Sequence, residues 1–185
     1  MIQKLDNIVR IKSGVFAKGN ANPDLYYIQS TDFSKQREWD KSLNFVLTNS
    51  VKFNNHILNE GDVLFAAKGR DFFAVVYDGN YQPAVASSTF LVLQLKVKGV
   101  IPDYISWFLN HPKTQTLLLS FAKGSGIPSI TKSALETIEI QIPNLSKQIS
   151  ILEFSKLQKK ERLLQKQILK LKQDYLNELT YKSIQ

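Results

Sequence analysis

The stretch TIEIQIPNLSKQI, residues 137–149, decides the architecture, because the hydrophobic period changes inside it. From Thr137 to Ile142 apolar and polar residues alternate, which predicts a half-buried strand ended by Pro143. Ser146 is the expected N-cap of a helix, and no Gly or Pro occurs from there to residue 185. Apolar residues then recur at heptad a and d positions. Phe154, Leu157, Leu164, Ile168, Leu171 and Tyr175 form one seam, with Glu161 as its polar member. Leu169, Leu176 and Leu179 widen it. At ~1.5 Å per residue, some 35 residues make a rod of roughly 50 Å. Such a helix either folds back on the preceding domain or buries its seam on another helix, and the length of the heptad run favours the second. The expected fold is α+β: a globular mixed α/β domain over residues 1–144, then one long C-terminal helix over 145–185 that forms a coiled coil.

Upstream, short strand-like runs are separated by turn chemistry. Ile8–Ile11 alternates and stops at Ser13 and Gly14, and Tyr26–Ile28 is aromatic and β-prone. Asp62–Ala66 follows a turn at Gly61, and Phe72–Tyr77 ends at Asp78, Gly79 and Asn80. Thr89–Leu95 is another β-rich run, closed by Lys98 and Gly99. From Pro102 the spacing of Tyr104, Ile105, Phe108 and Leu109 predicts a helix, interrupted at His111 and Pro112, with a second piece over Thr114–Ala122. Tyr26, Tyr27, Phe72 and Phe73 sit inside strand-like runs and read as core.

With 43% hydrophobic residues and 20 aromatics, the chain has ample material for a core. No cysteine is present, which excludes disulfides and thiolate metal sites and favours a reducing compartment. The first residues lack the apolar stretch of a signal peptide, and no apolar run reaches the ~18 residues of a membrane span. A cytoplasmic protein is expected. The net charge is +8, which permits a polyanionic partner. Residues 145–185 carry nine Lys/Arg against four Asp/Glu, and residues 1–144 carry fifteen against twelve. Any nucleic-acid surface on the front part must therefore be a local cluster.

Catalytic constellations are hard to find. His56 and His111 have no partner at metal-ligand spacing and read as loop or capping residues. In KGSGIPSIT, residues 123–131, the lysine precedes the glycines, so a nucleotide-phosphate loop is excluded. A third glycine for a dinucleotide fingerprint is missing after Gly124 and Gly126. No acidic-x-Lys tripeptide of a metal-dependent nuclease occurs, leaving Asp24 and Asp103 as turn or helix-start residues. Nothing supports serine-hydroxyl catalysis. A binding module without cofactor, metal site or catalytic residues is expected.

Several segments, taken in order, resemble one family. Residues 5–14, LDNIVRIKSG, are similar to the opening of a target-recognition domain from the specificity subunit of type I restriction-modification systems. LNEGDVLF at 58–65, followed by Lys68 and Gly69, resembles that domain's central signature, L-x-x-G-D-[IV]-L. GSGIPSITKSAL at 124–135, then IEIQIP at 138–143, resembles its closing segment, and LSKQI at 145–149 the entry into a conserved helix. Asn144 replaces the family's second proline and Lys147 its glutamate, which removes a negative charge from the first helical turn. The family's subunit has two recognition domains and two long helices, whereas this chain has one of each.

The resemblance therefore implies a non-catalytic half-subunit that recognises double-stranded DNA. Methylation and cleavage would belong to separate modification and restriction subunits, the former docking on the helix. A homodimer would place two recognition domains at opposite ends of an antiparallel helix pair and read an interrupted palindrome. Expected phosphate contacts are Lys18, Lys35, Lys68, Lys123 and Lys132, with Ser125, Ser129 and Thr131 as further donors. Arg37 and Arg70 are the expected guanine readers, and Asn20 and Asn22 lie in a polar loop able to approach bases. The alternative is a protein-interaction module whose coiled coil is the functional part.

Overall fold

The computed structural model describes residues 2–19, 23–34, 36–39, 42–69, 71–122 and 126–183. The chain divides into two units, residues 1–148 and 149–185. It is α+β, with a helix of 38 residues at its C-terminal end.

In the first unit the strands are β1 (Ile2–Lys4), β2 (Val9–Ser13), β3 (Leu25–Ile28), β4 (Phe45–Leu47), β5 (Val63–Ala66), β6 (Phe73–Val76), β7 (Ala84–Ala86), β8 (Phe90–Leu95) and β9 (Glu139–Gln141). The helices are α1 (Leu5–Ile8), α2 (Pro102–Asn110), α3 (Pro112–Phe121), α4 (Lys132–Glu136) and α5 (Leu145–Lys182). Four antiparallel strands form a sheet in the order β2-β8-β5-β6. A second sheet has the order β4-β3-β7, with β3 and β7 parallel, and β1 pairs with β9.

Alternation along the strands builds two layers of core. Leu64, Ala66, Val75, Phe90 and Val92 of the four-stranded sheet pack with Ile28, Ala84 and Ala86 of the three-stranded one. Val63, Phe65, Ala74 and Leu93, all buried, alternate with those residues and so point to the other face. Helix α2 packs on β5 and β6, burying Tyr104, Ile105 and Leu109. It also covers the sheet edge at β6. Asn110 accepts from Ala74 N–H (2.9 Å) and donates to Ala74 C=O (2.7 Å), and the Ser106 hydroxyl donates to the same carbonyl (3.0 Å). Backbone groups that would otherwise template a foreign strand are thereby satisfied. Gly14 marks the crossing of the chain between sheets. A side chain there would strike the backbone carbonyls of Ser87 and, at 2.7 Å, Ala86, so only glycine fits.

Several local expectations are corrected. Ile8 ends a single helical turn, α1, and the strand begins at Val9 because Leu5 N–H bonds to Ile138 C=O and holds the turn. Helix α3 starts at Pro112 rather than Thr114, since proline suits a first helical position and His111 Nδ1 accepts from Lys113 N–H at 3.3 Å. The N-cap of the long helix is Asn144 rather than Ser146: Asn144 Oδ1 accepts from Lys147 N–H at 2.9 Å. An uncharged cap therefore stands where the family resemblance expects proline.

The first turn of α5 is anchored by Gln148, a wholly buried polar residue. Its Oε1 accepts from Ile101 N–H (3.0 Å), and its Nε2 donates to Gly99 C=O and Pro143 C=O, both at 2.8 Å. Three backbone groups that no helix or strand satisfies are thus paired by one amide. Replacing it by an apolar isostere strands them, at a cost of ~1–3 kcal/mol for an orphaned buried group. Gln148→Leu is expected to lower the unfolding free energy of the full chain by about 2–4 kcal/mol in urea titrations. A change below ~0.5 kcal/mol, the range of neutral surface substitutions, would show that the amide carries no such role.

Candidate nucleic-acid interface

Strand β2 lies at the edge of the four-stranded sheet, and alternation sends Arg10 and Lys12 to one side of it while Val9 and Ile11 enter the core. Lys96, just beyond β8, and Lys132, the first residue of α4, join them around a cleft of about 470 Å³ that Asp6 and Glu136 also line. Four cations thus face two carboxylates. Lys132 lies 3.7 Å from Glu136, Lys12 donates to the Asn55 carbonyl at 3.2 Å, and Lys96 donates to the Asp6 carbonyl. Backbone carbonyls hold the Lys12 and Lys96 ammonium groups without neutralising them, so the cleft keeps a positive surplus that a concave wall focuses.

The Gly-Asp pair of the central signature is linked to Arg10 and Lys12 through Gln94, the cross-strand partner of Arg10, and through the charge of Lys12. Gly61 adopts φ +88°, a left-handed conformation that the turn after Asn59 requires. The buried Asp62 carboxylate accepts from Asn59 N–H and Gln94 Nε2, both at 3.0 Å. Burial pushes its pKa up, opposed by those hydrogen bonds and by the charge of Lys12. Asp62 therefore holds the turn and the Gln94 side chain of β8, and the motif is structural here.

The expected DNA-contact residues fall into separate places. Lys68 and Ser129 are brought together by an antiparallel bridge, flanked by Gly69 N–H to Pro128 C=O (3.0 Å) and Ile130 N–H to Ala67 C=O (2.8 Å). The later part of the KGSGIPSIT loop is thus docked against the segment after β5. That loop does not run directly into a strand, because α4 intervenes. Thr131 is the N-cap of α4, its hydroxyl accepting from Ala134 N–H at 3.1 Å, and Lys132 belongs to the helix and to the β2 cleft.

Arg37 lies elsewhere, at φ +65° in a turn closed by its N–H to Ser34 C=O (2.8 Å). It lines a second cleft of about 480 Å³ with Ser30, Ser34, Asp71, Phe72 and Gln115. Partial desolvation by the cleft walls lowers the guanidinium pKa and the Asp71 charge raises it, leaving a cation. Lys18 stands on an exposed segment two residues after Phe16, which is 79% exposed. Asn20, Asn22, Lys35, Arg70, Lys123 and Ser125 lie outside the described residues.

Arg10, Lys12 and Lys96 were not among the sequence-derived candidates. The visible signal was the spacing of Arg10 and Lys12 within an alternating run; Lys96 and Lys132 join only through the β2–β8 register and the packing of α4 on β2. Among the described residues no group of three or more His, Cys, Asp or Glu is placed to hold a metal ion. No described helix is long and apolar enough to cross a membrane.

In unit two, residues 149–182 of α5 carry the seam. Phe154, Leu157, Leu164, Ile168, Leu171 and Tyr175 are each 48–67% exposed. A stripe of large apolar side chains open to solvent is the mark of a surface that another molecule covers.

Comparison with known proteins follows the same outline. The chain is 32% identical over 103 residues to the type I restriction enzyme MjaVIII specificity subunit of Methanocaldococcus jannaschii, a match covering 55% of this chain and 23% of that protein. Its fold is similar to the type I restriction-modification S subunit of M. genitalium, with TM-score 0.59, 15% identity, and coverage of 85% of this chain and 38% of the other. The HsdS subunit of Thermoanaerobacter tengcongensis gives TM-score 0.62 at 16% identity, covering 89% of this chain and 43% of that one. The chain thus spans about a quarter of the curated relative and about two fifths of the solved ones. The family described as "Type I restriction modification DNA specificity domain" matches residues 3–173, which takes in both the sheet domain and most of the long helix, and the chain belongs to that family.

Proposed function

We propose that the chain is the DNA-recognition component of a type I restriction-modification system, itself non-catalytic, working as a half-subunit in the cytoplasm. Residues 1–144 bind double-stranded DNA, and residues 145–185 dimerise and dock the modification subunit, through which the restriction subunit is recruited. The observation that carries this reading is the basic cleft at the edge of β2 in a domain of the specificity family. Arg10, Lys12, Lys96 and Lys132 supply phosphate contacts that fix position, Lys18, Lys68 and Ser129 are further phosphate donors on other segments, and Arg37, in its own cleft, is the group available to read guanine. The family match runs through both the sheet domain and the helix, so a helix-only interaction protein has no support.

The exposed seam supports dimerisation. Each large apolar side chain buried there contributes ~1.5–3 kcal/mol, which is ample for pairing two helices. Two copies would bring two recognition domains to one DNA and read a symmetric site with an unread centre.

DNA binding by the full chain, alone and with its modification subunit, is expected to weaken linearly in log affinity with log salt. The double variant Arg10→Gln with Lys12→Gln should lower that slope by roughly two and weaken all sequences about equally. Absence of binding at low salt with the modification subunit present would remove the proposal. For the seam, Ile168→Glu places a charge where apolar side chains meet and is expected to halve the mass measured by light scattering. An unchanged dimer mass would rule the seam out as the interface.

A further inference from the structure

The long helix carries a second surface besides its apolar seam. Residues 154–173 contain seven Lys/Arg and a single carboxylate, Glu161, and the next carboxylate, Asp174, stands one turn beyond Lys170. Glu161 occupies a seam position and accepts from Gln165 Nε2 at 3.2 Å. Lys159, Arg162, Lys166 and Lys170 follow at intervals of three, four and four residues, so they share one face of the helix. At ~100° per residue that face lies roughly opposite the seam formed by Leu157, Leu164, Ile168 and Leu171. When the seam is covered, the basic row still faces outward.

This row works against the isolated helix. Like charges one turn apart destabilise it by ~0.2–0.5 kcal/mol per pair, and Arg162–Lys166 and Lys166–Lys170 are such pairs. A solvated helix gains more from Glu–Lys spacing, as Lys182 and Glu178 show at 2.7 Å. The charge distribution points the same way. Of the net +8, a surplus of five resides in residues 145–185 and only three in the recognition domain.

We propose that the row formed by Lys159, Arg162, Lys166 and Lys170 is a duplex-DNA backbone contact, engaging phosphates without reading bases. The inference rests on the DNA-recognition reading above and assigns a share of its sequence-independent affinity to the helix. The row extends ~16 Å along the helix axis. Duplex DNA presents one charge per ~1.7 Å, a density that neutralises the row.

The test compares the full-length chain with the triple variant Arg162→Gln, Lys166→Gln, Lys170→Gln. Glutamine keeps helix propensity close to that of lysine and arginine, so circular dichroism and dimer mass should be unchanged. The probe is a mixed-sequence duplex of about 40 base pairs, titrated over a salt series, and the slope of log affinity should fall by about 2.7. A charge-keeping triple, Arg162→Lys, Lys166→Arg, Lys170→Arg, should retain the wild-type slope. If the wild type binds DNA and the neutral triple has the same slope, this inference fails while DNA recognition stands. If the neutral triple keeps its DNA slope but loses capture of the modification subunit, the row is a protein surface and the inference is overturned. If the wild type binds no DNA, both readings fail.

Discussion

The junction between sheet domain and helix depends on one buried amide. Gln148 pairs with Ile101 N–H, Gly99 C=O and Pro143 C=O, tying the entry to α2, the turn after β8 and the end of β9 to the first turn of α5. Each partner is a backbone group at the end of an element, where the regular ladder stops and a buried donor or acceptor must otherwise go unpaired. Around it, β1 pins β9 along Ile2–Lys4, and the Tyr104 hydroxyl donates to Gln141 C=O at 2.7 Å. The change from period two to the helical period is therefore built as well as encoded. Strand, proline, cap and anchoring amide follow within ten residues, and Asn144 supplies the cap without the negative charge that a glutamate at Lys147 would bring.

Legibility in the sequence tracked length and locality. β5, β6 and β8 carry four to six residues of apolar or alternating pattern, bounded by Gly61, by Asp78–Asn80 and by Gly99, and were readable. So was the break at His111–Pro112, since proline acts on its immediate neighbours. β1, β4 and β7 have three residues each and α1 has four, too few for a period to show. They exist because of distant partners, as β1 exists through Glu139–Gln141. The heptad seam was legible for the opposite reason, being long and uninterrupted.

The candidate site divided along the same line. Lys68, Ser129, Thr131 and Lys132 were found from motif segments, yet the fold gives them different tasks: a bridge, a cap and a cleft wall. The strongest cluster of cations joins Arg10 and Lys12 with Lys96 and Lys132, separated by as many as 122 residues in the chain. Only the β2–β8 register and the packing of α4 on β2 show that they meet. Asp62, which looked like part of a recognition signature, is buried and holds the turn at Asn59 through its carboxylate. The electrostatic picture is of two surfaces with different duties. On the proposed reading, a concave cluster on a nearly balanced domain would give position near the bases, and a row on a strongly basic helix would supply attraction that any sequence satisfies.

The central claim is that two copies of one recognition domain direct methylation to DNA. It is tested most directly by mapping methylated bases across the genome of cells that express this chain with its modification subunit and no other specificity subunit. The account predicts methylation confined to one interrupted palindrome, its two halves identical by symmetry because both are read by the same domain. Methylation without a common motif, at a site with two different halves, or unchanged when this chain is deleted would contradict it.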